Sequence, residues 1–323
     1  MSKAKLTRRE FLKLTALTAM GAALAACAPP ATPAPTKPTV EPTKPAAAAP
    51  AETPKPVSKY KEAPMLTELV KAGKLPPVEQ RLPEEPLVVK PIEKIGKYGG
   101  EYRLGYLGAA DTAWCTRCTE YDQMVHWNVE WTDVIPNVAK KWEVQDGGKV
   151  YIFYLRKGMK WSDGTPFTAD DVVFFYEEIN NKELTPTFPK WLTTGGDPVV
   201  VTKIDDYTAK FTFTQPYGLF LQRAACPSNF LYVPKNFRKK FFKPTADPQF
   251  LESKMKEAKV ENWFQGYGGW DRGWVSPRLN PEAPVVWAWH YINKIGDGTQ
   301  WIAERNAYYF KVDPEGNQLP YLD

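Results

Sequence analysis

Apolar and polar positions divide the chain into stretches of different periodicity. Leu14 to Ala26 is a continuous apolar run of 13 residues, behind a basic, polar stretch at residues 7–13. That is a charged n-region and a short h-region, too short to cross a bilayer as a helix. Residues 28–58 then lack any aromatic side chain, and ten of these 31 are Pro. Such a segment buries too little surface to fold and should act as a semi-rigid tether, with a contour of roughly 100 Å at about 3.1 Å per residue.

Folding is expected from near Tyr60. Pro64 to Lys74 reads as a short amphipathic helix, with Met65, Leu66, Leu69 and Val70 on one side and Gly73 as its stop. Glu101–Leu107, introduced by Gly99 and Gly100, is predicted to be a strand, and Pro136–Trp142 a short helix. Tyr151–Arg156 is an apolar run bounded by turns, hence a buried strand. A tight loop at Trp161–Pro166 leads to Thr168, which caps a helix with Asp171 as its acidic partner. Val172, Phe175, Tyr176 and Ile179 mark that helix's buried stripe. Asp170 and Asp171 are acids of a first helical turn, where the dipole favours them, rather than a catalytic pair. A hairpin is expected over Val199–Phe213, followed by a turn at Pro216–Gly218.

Charge narrows the function classes. The whole chain carries +5, but its first 26 residues hold five basic side chains against Glu10 alone, so the remainder is close to neutral. A near-neutral body offers nucleic acid no electrostatic footprint. At the N-terminus, Arg8 and Arg9 followed by Phe11 and Leu12 resemble a twin-arginine export signal. Leu24-Ala25-Ala26-Cys27 resembles a lipoprotein signal-peptidase box. The two imply export of a folded protein, cleavage before Cys27, acylation of its thiol, and anchoring on the extracytoplasmic face of the membrane.

Candidate chemistry is sparse. Cys115 and Cys118 form a lone Cys-x-x-Cys that reads as a disulfide or as plain thiols, with a redox pair or half a zinc site as the alternatives. The two histidines, His126 and His290, sit among aromatics and read as core or pocket lining. Gly266-Tyr267-Gly268-Gly269 has neither the spacing nor the lysine of a phosphate cradle. No cofactor or metal is called for. Six of the twelve tryptophans fall between Trp263 and Trp301. Trp270, Trp287 and Trp289 among them are expected to line a binding cleft, each against the simpler reading of core filling.

The stretch from Pro136 to Ile179 is similar to the signature region of the family 5 extracellular solute-binding proteins, receptors for oligopeptide, dipeptide, nickel and some oligosaccharide importers. The similarity continues through Val199–Phe213 and returns at Glu304-Arg305-Asn306 with Tyr308-Tyr309, where Ala307 stands in place of the family's usual Pro. The resemblance implies an α/β, two-lobed fold of the periplasmic-binding-protein kind, with an extra subdomain in the first lobe. On that basis residues 60–93 are an N-terminal extension and 94–323 a partial solute-binding domain. Within it, 113–194 would form the extra subdomain, 94–112 with roughly 195–290 the ligand-lobe core, and about 290–323 the start of a second lobe that is mostly missing from a truncated chain. Trp301, Tyr308, Tyr309 and Phe310 would then lie exposed. Asp111, Thr112 and Trp114 fall where the family places a ligand-facing loop. The implied function is non-enzymatic: a monomeric receptor that closes on a peptide or oligosaccharide and hands it to an ABC permease. Its rivals are an exported glycoside hydrolase and a Cys-x-x-Cys oxidoreductase.

Overall fold

The computed structural model describes residues 58–108, Asp111 and residues 118–323. The export signal, Cys27, the tether, Thr112, Trp114 and Cys115 lie outside the described residues.

In chain order the elements are helix α1 (Pro64–Lys71), α2 (Val78–Arg81), strand β1 (Leu87–Val88), the hairpin β2 and β3 (Val125–Trp127 and Val134–Pro136), β4 (Ala139–Gln145) and β5 (Val150–Leu155). Then come α3 (Ala169–Asn180), the short pair β6 and β7 (Thr193–Thr194 and Asp197–Pro198), β8 (Val200–Asp205), β9 (Thr208–Thr212) and α4 (Phe220–Ala224). The last are α5 (Lys235–Arg238), α6 (Pro248–Ala258), α7 (Trp263–Tyr267), β10 (Trp289–Tyr291), β11 (Ala303–Arg305) and β12 (Lys311–Val312).

The largest sheet is antiparallel, in the order β4-β5-β9-β8. Its central strand β5 is the predicted apolar run, and Tyr151, Ile152, Phe153 and Leu155 are all buried. Phe153, Phe211 and Phe220 meet at ring separations of 5.5 to 6.1 Å and fill the space beneath it. Helix α3 packs against β8 and β9 and is capped as expected. Thr168 N–H donates to Asp171 Oδ2 at 2.8 Å, and Asp170 N–H donates to Thr168 Oγ1 at 3.3 Å. Asp170 accepts from Lys203 and Lys235, so both acids serve the helix terminus. The stripe on α3 is only half right: Val172 is buried, but Phe174 and Glu178 are the other deeply buried side chains beyond the first turn, because a second core lies against that flank. That second core gathers Phe237, Phe241, Phe242, Leu251, Trp263 and Tyr267.

Several expectations are overturned. Residues 101–107 form no strand; Tyr102, Leu104 and Leu107 are exposed, and among the described residues no strand supplies the ladder that would hold them. Residues 136–142 are strand rather than helix, because β5 offers Ala139–Gln145 a full row of backbone partners that a weak local helix preference cannot match. On α1 only Leu66 is deeply buried, and Met65 and Leu69 face solvent.

The expected division at 194/195 runs through one sheet. β5 and β9, one from each side of it, are hydrogen-bonded neighbours in a single sheet over a shared core. Residues 290–323 do not stand apart either. Tyr309 and Phe310 are buried in the first core, and Trp301 lies against Tyr291 with ring centroids 4.1 Å apart. The missing partner for this segment is the N-terminal extension: β1 pairs in parallel with β12, and Lys61 N–H donates to Gly316 O at 2.9 Å. Arg81, fully buried, binds Glu62, the Ala307 carbonyl and Gln318 Oε1 from the centre of that junction.

Candidate ligand-binding site

The segment from Cys118 to Trp127 follows the expected ligand-facing loop and runs into the first core. Its polar residues divide into two sets. The charged ones are tightly matched. Glu120, 1% exposed, takes a bidentate pair from Arg278, with Nε–Oε1 at 2.7 Å and Nη2–Oε2 at 2.5 Å. Tyr291 Oη adds a hydrogen bond to Glu120 Oε1 at 2.8 Å and lies 3.0 Å from Thr119 Oγ1. Asp122 meets Lys311 Nζ at 2.6 Å, Tyr309 Oη at 3.1 Å and Asn137 Nδ2 at 3.2 Å. Low-dielectric burial makes such matching obligatory, since an unpaired charge there is costly.

The neutral set is left open. Tyr121 Oη, both amide atoms of Gln123, His126 Nε2, Asn137 Oδ1 and Gln222 Oε1 are buried and have no hydrogen-bond partner among the described residues. Tyr121 and His126 lie with ring centroids 4.0 Å apart, and α4, which carries Gln222, packs against β2. Burial lowers the His126 pKa below the usual imidazole range and the nearby Lys311 charge lowers it further, against the opposing pull of Asp122 and of backbone hydrogen bonds to Trp127 and Tyr121.

The expected cleft residues have different fates. Asp111 is exposed and accepts from Leu107 N–H at 3.3 Å. Trp287 is wholly buried and packs on Phe230 and Trp270 at 5.6 and 5.2 Å, so as it stands it is core and shows no face to a ligand. Trp270 is half-buried, held between Phe230 and the Arg238 guanidinium, which lies 4.8 Å from its ring centre. Trp289 is half-buried on β10, two residues before Tyr291, so the 118–123 segment and the tryptophan-rich stretch do meet. Cys118 is an exposed thiol and Cys226 a half-buried one. Among the described residues no cluster of metal-ligating side chains occurs.

Sequence reasoning missed Glu120, Asp122, Arg278 and Lys311. Each is an ordinary charged residue in the sequence, and Glu120 and Arg278 are 158 positions apart, so nothing local announces the pair.

Residues 133–323 match the family described as bacterial extracellular solute-binding proteins, family 5. The periplasmic alpha-galactoside-binding protein of Rhizobium meliloti is 31% identical over 290 residues, covering 83% of this chain and 39% of the relative. A solved oligopeptide-binding protein, OppA, aligns with a TM-score of 0.76 and 43% identity over 84% of this chain and 41% of its own. The periplasmic binding protein MelB of Agrobacterium fabrum, solved with stachyose, aligns with a TM-score of 0.61 and 29% identity over 82% of this chain and 40% of its own. The chain thus spans about 40% of the length of these relatives, within the mixed α/β architecture of the two-lobed binding proteins. The chain belongs to the bacterial extracellular solute-binding proteins, family 5.

Proposed function

We propose that this protein is an exported, lipid-anchored solute receptor that captures a peptide or an oligosaccharide and delivers it to an ABC import permease. The observation that carries this reading is the alignment with an oligopeptide-binding protein over 84% of the chain at 43% identity. Capture is non-covalent. Ligand stabilises the closed arrangement of the lobes by its differential affinity for it, and that closed form is what the permease receives. The receptor works as a monomer, with Trp270, Trp289 and the 111–114 loop facing the ligand and no catalytic group. Arg8, Arg9, Phe11 and Leu12 direct export, and Cys27 carries the lipid.

Calorimetry of the full-length protein against di- and tripeptides and against galactosyl oligosaccharides tests the receptor reading; micromolar or tighter binding is expected in one class. Absence of binding in both, or turnover of the oligosaccharide, overturns it. Mass spectrometry of the exported protein should find an acylated Cys27 as its first residue. An Arg8→Lys, Arg9→Lys double variant should remain in the cytoplasm.

A further inference from the structure

Tyr291 sits where the two expected ligand-facing elements come together. Its hydroxyl has a single hydrogen, which goes to Glu120 Oε1 at 2.8 Å, so in the 3.0 Å contact with Thr119 Oγ1 the donor is Thr119. Its ring, 3% exposed, stacks on Trp301 at 4.1 Å with 21° between the planes. Its strand β10 carries Trp289 two residues earlier and on the same face, because side chains alternate along a strand. Thr119 and Glu120 in turn stand eight and nine residues after Asp111. One buried side chain therefore joins the chain leaving the 111–114 loop to the strand that bears Trp289.

Neutralising Glu120 does not require this relay. Arg278 already meets both carboxylate oxygens, at 2.7 and 2.5 Å, and that bidentate pair satisfies the buried charge. Tyr291 and Thr119 add direction instead. A charge pair alone holds the end of one side chain, whereas bonds from two consecutive residues to one tyrosine hydroxyl fix the backbone that carries them.

We infer that Tyr291, acting through Thr119 and Glu120, is a positioning residue of the ligand site, which sets the spacing between the 111–114 loop and Trp289 before ligand arrives. The inference rests on the receptor reading above, in which those two elements face the ligand. Tyr291 itself is too enclosed to meet a ligand. Its effect is on the fraction of receptor that holds the loop in register, and apparent affinity scales with that fraction. A relay loosened until about a tenth of the molecules are in register lowers affinity about tenfold. The loss falls on association, because only the positioned fraction accepts ligand, whereas dissociation starts from the assembled complex.

Stopped-flow tryptophan fluorescence of the full-length protein, with trialanine and with raffinose, measures both rates in the wild type, Tyr291→Phe, Thr119→Val and Thr119→Ser. Association is expected to be about tenfold slower in Tyr291→Phe and Thr119→Val with dissociation unchanged. Thr119→Ser keeps the hydroxyl and should retain the wild-type rates. Thr119 is half-buried and valine matches its volume, so Thr119→Val keeps the test open should Tyr291→Phe fail to fold. Binding of neither probe by the wild type sinks the receptor reading and this inference together. If the wild type binds and both hydroxyl-free variants keep its association rate, the relay is structural only and this inference alone falls. Faster dissociation with association unchanged, or Thr119→Ser behaving as Thr119→Val, overturns it equally.

Discussion

Replacing Arg278 by Met should be among the most damaging single changes available in this protein. Arg278 and Glu120 are 6% and 1% exposed and joined by two hydrogen bonds of 2.7 and 2.5 Å. At an effective dielectric of about 20, unit charges 2.7 Å apart attract by roughly 6 kcal/mol, most of which offsets the cost of taking both from water. Methionine keeps much of the volume but leaves Glu120 charged, enclosed and held by Tyr291 Oη. Breaking a buried pair from one side costs about 3–5 kcal/mol, a large part of the stability of a typical domain. The double variant Glu120→Gln, Arg278→Met removes both charges and should recover more than half of that loss. Urea unfolding of the exported protein, followed by tryptophan fluorescence, measures each value, and the cycle isolates the coupling. If Arg278→Met costs less than about 1 kcal/mol, in the range of an exposed pair, water reaches Glu120 and the enclosed site described here is wrong.

Other substitutions probe the remaining joints. Gly266→Ala would place a methyl carbon 2.0 Å from Trp274 Cζ2, so a loss of about 1–3 kcal/mol from overpacking is expected in the same unfolding assay. Arg81→Met should release the N-terminal extension from residues 307–318, read as faster proteolysis between residues 60 and 93 and as new amide exchange at Val312. Burial pushes the Asp171 carboxyl up to about 7 against the downward pull of the Thr168 and Lys235 N–H groups. Its folded value lies above its unfolded one, so its contribution to stability is complete below about pH 4 and lost as pH rises through 7. Asp171→Asn should therefore flatten the fall in stability between about pH 4 and 7, and an unchanged pH profile would refute that assignment.

Local physics made part of this molecule legible without coordinates. An apolar run between turns could only be a buried strand, and Tyr151–Leu155 is one. Thr168 with Asp171 three residues on could satisfy the free N–H groups of a helix start, and does. The long similarity around residues 136–179 pointed to the family to which the chain belongs.

What failed to show in the sequence depended on partners far along the chain. Ala139–Gln145 has no strong preference of its own and became strand because β5 lay beside it, while Glu101–Leu107 had the better strand pattern and no neighbour. Val312 is buried because residues 60–93 fold back over the 307–318 segment and bring Val78 and Leu82 against it, a contact across more than two hundred positions that no periodicity encodes. The site divides in the same way. Which of the tryptophans near Trp289 packing would seal was not readable in the sequence. Trp287 and Trp289 are two positions apart, and packing against Phe230 and Trp270 buried the first while the second stays half open. Only the tertiary structure paired Glu120 with Arg278 and Asp122 with Lys311, because a charge finds its partner through space and not along the chain.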